Sequence, residues 1–349
     1  MFNTLTQTSQ TSNFPSELVW EIVSWMMVTT PNHAEELGPS THLSVRFCKP
    51  RWTVMDNFSK ASKAFRIVAL GNWFRSVCIR KSSDWEVISL DFPYVYQCAR
   101  SVQWHSSGTD ELEEAYSGFA KFKNVVIAAI FLSLDTDADD LEVAKILRIL
   151  PSSIRELEVF DAVYPDPKFI KLIAETFPDL HALRLVQPSV WCNVCYLCNI
   201  PGFAKESPDN LKIIYSGSHG LPGLYAQQLS RLQKLHTVQF TIAVLAFQDI
   251  RDFDDEGVPF AWSGECTQCR KMIESDKVFR TEWAEKKKDF DIVASNLKLV
   301  EWNFVKLSRF GNDWTNRILY QDLYNVDEGS IEPEDLYNVD KLISSQIIG

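Results

Sequence analysis

A short apolar pattern recurs along the middle of this 349-residue chain and constrains its fold more than any other feature. Apolar residues occupy the first, fourth and sixth positions of most copies, as in strands that stack side by side in a repeat protein. The first positions are separated by 23, 32, 26, 31, 24 and 62 residues, so most gaps accommodate one strand and one helix. The copies begin at Ala99, Phe122, Ile154, Leu180, Leu211, Leu235 and Leu297.

Helix candidates between the copies complete the repeating unit. Residues 167–177 and 222–235 each place apolar side chains on one side of a helix. One such unit cannot bury its apolar face alone, whereas stacked neighbours can. We therefore predict an α/β fold in which residues 81–306 form an irregular repeat solenoid. The wide last gap predicts an insertion at 241–296, with a long amphipathic helix over 267–292.

The N-terminal segment predicts a helix with more apolar surface than one buried face requires. Pro15 suits a first helical turn, and from Leu18 to Val28 only Glu21 and Ser24 are polar. The helix is too short to cross a bilayer, and a helix packed on its own domain needs one apolar face. We therefore expect a partner protein to bury it a second time. Its apolar stripe is Leu18, Val19, Ile22, Val23, Trp25, Met26 and Met27, and the apolar Trp20 and Val28 lie off this stripe.

Two segments resemble an F-box. Residues 14–23 read Phe-Pro-x-Glu-Leu-x-x-Glu-Ile-Val, similar to the usual F-box opening Leu-Pro-x-Glu-Leu-Leu-x-x-Ile-Leu, and residues 58–70 look like its closing helix. The resemblance implies a small helical module over 13–80. The polar loop at 29–52 is an insertion that departs from the family pattern, and residues 1–12 are predicted to be disordered. The resemblance also implies binding to a Skp-type adaptor. The implied contact residues are Pro15, Leu18, Val19, Ile22, Val23, Trp25 and Met26.

Module and repeats together resemble fungal F-box proteins with irregular leucine-rich repeats, over residues 13–306. The repeats depart from that pattern because the usual Asn after each strand is missing. The resemblance implies a substrate-recognition subunit of a cullin-type (SCF) ubiquitin ligase. The F-box would hold the adaptor and the repeats an unidentified target protein. The protein is then expected to be a receptor and not an enzyme.

Five cysteines predict a metal site. Cys192, Cys195 and Cys198 follow the fourth strand, and Cys266 and Cys269 begin the predicted long helix. A tight turn brings the two thiolates of a Cys-x-x-Cys pair to one side, and two pairs complete a tetrahedral zinc site. The expected cofactor is therefore a structural zinc. His219 is either a substitute ligand or, as the neighbouring Gly217 and Gly220 favour, an ordinary loop residue. The alternative is a set of unlinked thiols.

Composition and charge limit the partners and the cellular location that we expect. The net charge is −11, and no basic stripe stands out in the sequence, so nucleic-acid binding is not expected. Residues 321–349 carry seven acids against one Lys, and we predict an acidic, flexible tail at 307–349. With no secretory signal and no membrane span, the expected location is cytoplasmic or nuclear. The lysine run at 286–288 is either a nuclear signal or the solvated face of a helix.

Two other functions remain open from the sequence. The first is a leucine-rich scaffold unrelated to ubiquitin, in which the N-terminal helix caps the first repeat. The second is a dithiol oxidoreductase using Cys192 and Cys195, which requires a helix that opens at the first cysteine.

Overall fold

A computed structural model of the chain describes residues 16–29, 52–106, 112–132, 140–160, 166–187, 190–195, 198–199, 210–244, 263–293 and 296–306. These residues form a mixed α/β fold with one eight-stranded sheet and one two-stranded hairpin. The strands are β1 (Ser76–Ile79), β2 (Ser101–Ser106), β3 (Ile127–Leu132), β4 (Glu156–Phe160), β5 (Ala182–Gln187), β6 (Val190–Trp191), β7 (Cys198–Asn199), β8 (Asn210–Ser216), β9 (Thr237–Val244) and β10 (Leu299–Lys306).

Helices precede the sheet and then alternate with its strands. They are α1 (Ser16–Thr29), α2 (Trp52–Ala61), α3 (Lys63–Trp73), α4 (Ser82–Asp91), α5 (Val95–Cys98), α6 (Leu112–Phe119), α7 (Asp140–Ile149), α8 (Pro167–Thr176), α9 (Gly223–Leu229), α10 (Thr267–Ser275) and α11 (Lys277–Val293). Among the described residues, no helix combines the length and apolar character needed to cross a membrane.

Seven strands run parallel in the order β1-β2-β3-β4-β5-β9-β10. Their register aligns the sixth positions of the apolar pattern into one buried row, which is Ile79, Trp104, Ile130, Val159, Leu185, Phe240 and Trp302. Helices α4, α6, α7, α8 and α9 cover this face in succession. The α/β class is thus confirmed, as are the strands predicted from Ala99, Ile154, Leu180, Leu235 and Leu297.

The copy predicted to begin at Phe122 is displaced by three residues. Ala128 and Ile130 pair with Val102 and Trp104 of β2, so this unit begins at Val125. The small Ala128 occupies a position that holds a larger apolar residue in the other copies, which concealed the true register. Phe122 is buried instead beside Trp85, with the two rings in an edge-type contact.

The copy predicted to begin at Leu211 is wrong in direction. β8 runs antiparallel to β10 and forms an edge of the sheet. Ile213 and Tyr215 pack against the core, whereas Ile214, predicted to be a core position, is 55% exposed. The described chain therefore does not stack as an uninterrupted series of identical units.

A further repeat precedes those predicted. β1 already pairs with β2, and its buried Val77 and Ile79 align with Val102 and Trp104, the fourth and sixth positions of the next copy. This strand lies within residues 13–80, which the sequence assigned to the helical module, and it follows α3 directly. The limits of the predicted domains stay a prediction.

Two helices predicted as continuous are divided by capping residues. Residues 58–70 are split at Ser62, whose Oγ accepts a hydrogen bond from the Phe65 N–H at 3.1 Å and starts α3. Residues 267–292 are split at Asp276, whose carboxylate accepts from Val278 N–H at 2.8 Å and Phe279 N–H at 3.1 Å. Each side chain satisfies amide groups that a helix start leaves without partners.

Several predicted segments lie outside the described residues. These are the disordered stretch at 1–12, Pro15, the inserted loop except for its ends at Thr29 and Trp52, and the tail at 307–349.

Candidate functional site

Four cysteines from two distant segments form one cluster. The Sγ atoms of Cys192, Cys195, Cys266 and Cys269 all lie within 4.8 Å of one another. In a zinc tetrahedron with bonds of about 2.3 Å, sulfur atoms lie about 3.8 Å apart. The Cys195 and Cys266 sulfurs are 3.9 Å apart, which fits shared coordination and is too long for a disulfide.

The first pair lies on a turn of the hairpin. Val190 pairs with Asn199 and Trp191 with Cys198, and residues 193–195 turn between the strands. Asn193 fixes this turn to the fold because its Oδ1 accepts a 3.3 Å hydrogen bond from Leu224 N–H, near the start of α9. Cys192 and Asn193 are almost wholly buried.

The second pair lies at the first turn of α10. Cys266 is the N-cap residue, and its carbonyl accepts from Arg270 N–H at 2.8 Å. Cys266 N–H in turn donates to Cys192 Sγ at 3.3 Å, which joins the two segments directly. The amide groups and dipole of a helix start stabilise negative charge, which favours a thiolate at Cys266.

The thiols perturb one another strongly. Burial raises the pKa of Cys192 to about 11, and burial together with the charge of Cys192 raises the pKa of Cys269. Burial also acts on Cys266, but hydrogen bonds from the Cys269 N–H and the neighbouring thiols outweigh it and lower the pKa of Cys266. Four thiolates would therefore repel one another here unless a cation neutralised them.

Glu265 ties the cysteine segment to α11. Its buried carboxylate accepts from Ser263 N–H at 2.6 Å and from Trp283 Nε1–H at 3.0 Å. Lys287 Nζ lies 3.6 Å from the same carboxylate and is itself buried. Lys287 is therefore neither on a solvated helix face nor accessible as the middle residue of a nuclear signal.

The structure also shows which of the predicted metal ligands belong to the cluster. Cys192 and Cys195, not Cys198, complete the four-sulfur cluster, and nothing is described of the Cys198 side chain. His219 lies outside the cluster, exposed in a turn. The dithiol oxidoreductase alternative requires a helix that begins at Cys192, but the residues that follow Cys192 form a turn.

The N-terminal helix exposes much of its apolar surface. Val19 and Val23 are buried; Val23 packs with Met55 of α2 and Ala69 of α3, and Met26 lies beside them. The exposed apolar side chains are Leu18 at 45%, Trp20 at 45%, Ile22 at 42% and Trp25 at 58%. Leu18, Ile22 and Trp25 follow helical spacing and form one outward stripe. Adaptor binding at this stripe stays a prediction.

Sequence reasoning missed a row of basic side chains at the edge where the parallel strands begin. One residue per strand, immediately before its first aligned position, forms this row, which we call the basic rim. It consists of Arg75, Arg100, Arg155, His181, His236 and Lys298, with Val126 in the β3 position. Successive members of this row are 25 to 62 positions apart in sequence, so only the second position of the apolar repeat could have revealed them.

Comparisons with known proteins add little to these observations. No protein-family model and no curated protein matches the chain. A crystal structure of the leucine-rich repeat-containing protein LegL7 from Legionella pneumophila is similar over 48% of this chain and 65% of that chain, with 9% identity and a TM-score of 0.28. The chain thus spans less than two thirds of that protein, and a TM-score this low does not establish a shared fold.

Proposed function

We propose that this protein is a non-catalytic receptor whose N-terminal module binds a Skp-type adaptor of a cullin ubiquitin ligase. In this proposal the repeat domain is an irregular leucine-rich-repeat-like solenoid that holds a target protein. The observation that carries the proposal is the outward stripe of Leu18, Ile22 and Trp25 on α1. A stripe of large exposed apolar side chains is typical of a protein interaction site.

The helices around α1 support a module with its own core. Val23, Met55 and Ala69 form a buried cluster separate from the main core beneath the sheet. The rings of Trp52 and Trp73 meet edge to face, with centroids 5.1 Å apart, beside this cluster. α1 can therefore be held in place by α2 and α3 while its other face remains available to a second protein.

The direct test is capture of a purified Skp-type adaptor by the full chain. We expect the double variant Leu18→Asp with Ile22→Asp to lose capture, because it introduces two charges into the outward stripe. Truncating central apolar contacts of an interface commonly costs 2 kcal/mol or more, roughly a thirtyfold loss of affinity. Surface plasmon resonance measures the change.

The matched control is Ser24→Asp, which adds a charge at an exposed polar position of the same helix. It should bind the adaptor like the wild type. Failure of the wild type to bind, or binding by the double variant at wild-type strength, would leave the scaffold alternative. That alternative has support of its own, because α3 contacts α5 and continues directly into β1.

We also propose that Cys192, Cys195, Cys266 and Cys269 hold one structural Zn²⁺. Four sulfur ligands in a closed, mostly buried site are typical of structural zinc, whereas a catalytic site keeps one position open for water. The ion would neutralise thiolates that otherwise repel one another and would fasten the hairpin to α10.

Metal analysis of the purified full chain tests the zinc site. We expect about one zinc per chain, lost in Cys269→Ser and retained in the matched control Cys98→Ser, whose thiol is also free but lies in α5. Tetrahedral thiolate absorption after Co²⁺ exchange provides a second readout. A zinc content near zero in the wild type, or equal in both variants, would contradict the assignment.

A further inference from the structure

The basic rim is fixed in position by the backbone. The carbonyl of Arg75 accepts from Arg100 N–H at 2.8 Å and Ser101 N–H at 3.0 Å, and the carbonyl of Arg155 accepts from His181 and Ala182 in the same way. The same paired hydrogen bonds recur at Arg100, Val126, His181 and His236. Because neighbouring strands lie about 4.8 Å apart, the seven rim positions extend along about 29 Å.

The charges of this row are available to a ligand. Arg75, Arg100, Arg155 and Lys298 are exposed, and no ion pair connects any of them to a described carboxylate. The nearby acid Asp179 already pairs with Lys234 at 2.6 Å. The hydrogen bond and charge of Lys234 lower the pKa of Asp179, and the charges of Arg155 and His181 lower it further. The local field at the rim is therefore positive in a chain whose net charge is −11.

One segment of the same chain has the complementary charge. Residues 321–349 carry seven acids against Lys341, and the sequence Asp-Leu-Tyr-Asn-Val-Asp occurs in it twice, at 322–327 and 335–340. Starts of the two copies are 13 residues apart, a distance of up to about 43 Å when extended. Since the rim is shorter than this reach, the two copies can contact opposite ends of the rim at once.

The length of the intervening chain permits this contact. β10 begins beside the rim at Lys298 and ends at Lys306, about 26 Å away at the opposite edge of the sheet. Fifteen residues separate Lys306 from Asp322, and they can extend up to about 50 Å. A tethered segment acts at millimolar effective concentration, which favours it over a free acidic peptide.

We infer that the acidic segment 321–340 docks on the basic rim of its own chain. The contact is ionic and solvent-exposed, so it is screened by salt. It covers one edge of the repeat domain, and any acidic partner of that edge must displace it. This inference is independent of adaptor binding and of zinc.

Carbodiimide cross-linking of the full chain tests the inference, because the reagent joins a carboxylate to an amine only where the two touch. We expect Lys298 to form amide links to carboxylates within 322–340 several-fold more often than Lys145, an exposed amine on α7 away from the rim. Peptide mass spectrometry counts the links. Arg75→Lys should add links at the β1 end, and 0.5 M NaCl should remove both sets.

Three outcomes would overturn the inference. The first is a link frequency at Lys298 equal to that at Lys145. The second is a frequency of links from Lys298 to 322–340 that is unchanged in 0.5 M NaCl. The third is links that join one chain to another, identified by mixing ¹⁵N-labelled with unlabelled protein. The last result would assign the rim to a second copy of the chain.

Discussion

Gly217 and Gly220 lie in one turn, and comparing them distinguishes the cost of a left-handed backbone from the cost of steric overlap with a side chain. Gly217 and Gly220 both have positive φ values, of +71° and +80°. A Cβ at Gly220 would overlap the ring of Tyr215, whereas the nearest atom to a Cβ at Gly217 is Leu297 O at 4.0 Å. The carbonyl of Gly220 also accepts from Trp302 Nε1–H at 2.9 Å, deep in the core.

We therefore expect Gly220→Ala to destabilise the protein more than Gly217→Ala. The left-handed conformation costs about 1–2 kcal/mol for either alanine, and overlap with Tyr215 adds about 1–3 kcal/mol for Gly220→Ala alone. Urea unfolding measures both variants. Equal losses of stability would show that Tyr215 moves aside without cost.

His105 makes stability depend on pH. It lies on the sheet face away from the helices, stacked on Phe131 with ring centroids 4.1 Å apart, and it is 4% exposed. Burial, aided by the charge of Arg80, lowers the pKa of His105 from 6.5 to about 4. Between these values the unfolded chain binds a proton that the folded chain does not, so acidification favours unfolding.

We expect His105 to remove up to about 3 kcal/mol of unfolding free energy as the pH falls from 6.5 to 4. His105→Gln keeps a polar partner for Gln103 but does not titrate in this range. Its unfolding free energy should therefore fall less steeply than that of the wild type over the same interval. Parallel pH profiles of the two proteins in urea unfolding would contradict the assignment.

At the scale of elements, an ion pair joins neighbouring strands of the sheet. Arg184 of β5 lies 2.9 Å from the Glu158 carboxylate of β4, and its Nε–H donates to Gln239 of β9 at 2.8 Å. The Glu158 side chain is only 3% exposed. Removing one partner of such a pair leaves a buried charge, whereas replacing both can be nearly neutral.

Arg184→Met should therefore cost about 3–5 kcal/mol, and the double variant Glu158→Leu with Arg184→Met should cost less. Lys171→Met provides the control, because Lys171 and Glu175 form a half-exposed pair within α8. It should change stability by less than about 0.5 kcal/mol. Thermal unfolding of the wild type and the three variants measures these changes in stability. A double variant less stable than Arg184→Met would refute the cross-strand role.

Helix boundaries at this scale were partly readable from the sequence. Ser62 and Asp276 are residue types that favour the N-cap, and each precedes apolar side chains at helical spacing. Continuous helices were nevertheless predicted across both, because apolar periodicity alone does not show that one helix has ended and another begun.

For the whole molecule, the sequence predicted the stacked strands of the repeats because buried rows require apolar residues at fixed positions. It did not predict the direction of β8, since alternating Ile213 and Tyr215 fit a parallel or an antiparallel neighbour equally. It predicted both cysteine pairs from their spacing. Only the structure could choose Cys195 over Cys198 and align the basic rim, because both depend on contacts between distant segments.

The position of β8 has a consequence for how the chain is made. Residues 210–216 leave the ribosome long before residues 299–306, yet β10 is the one strand of the sheet beside which β8 lies. β10 must enter between β9 and β8, two strands synthesised earlier. Nascent chains that lack residues 299–306 therefore hold β8 without its native neighbour, and this edge of the sheet forms only after β10 has been synthesised.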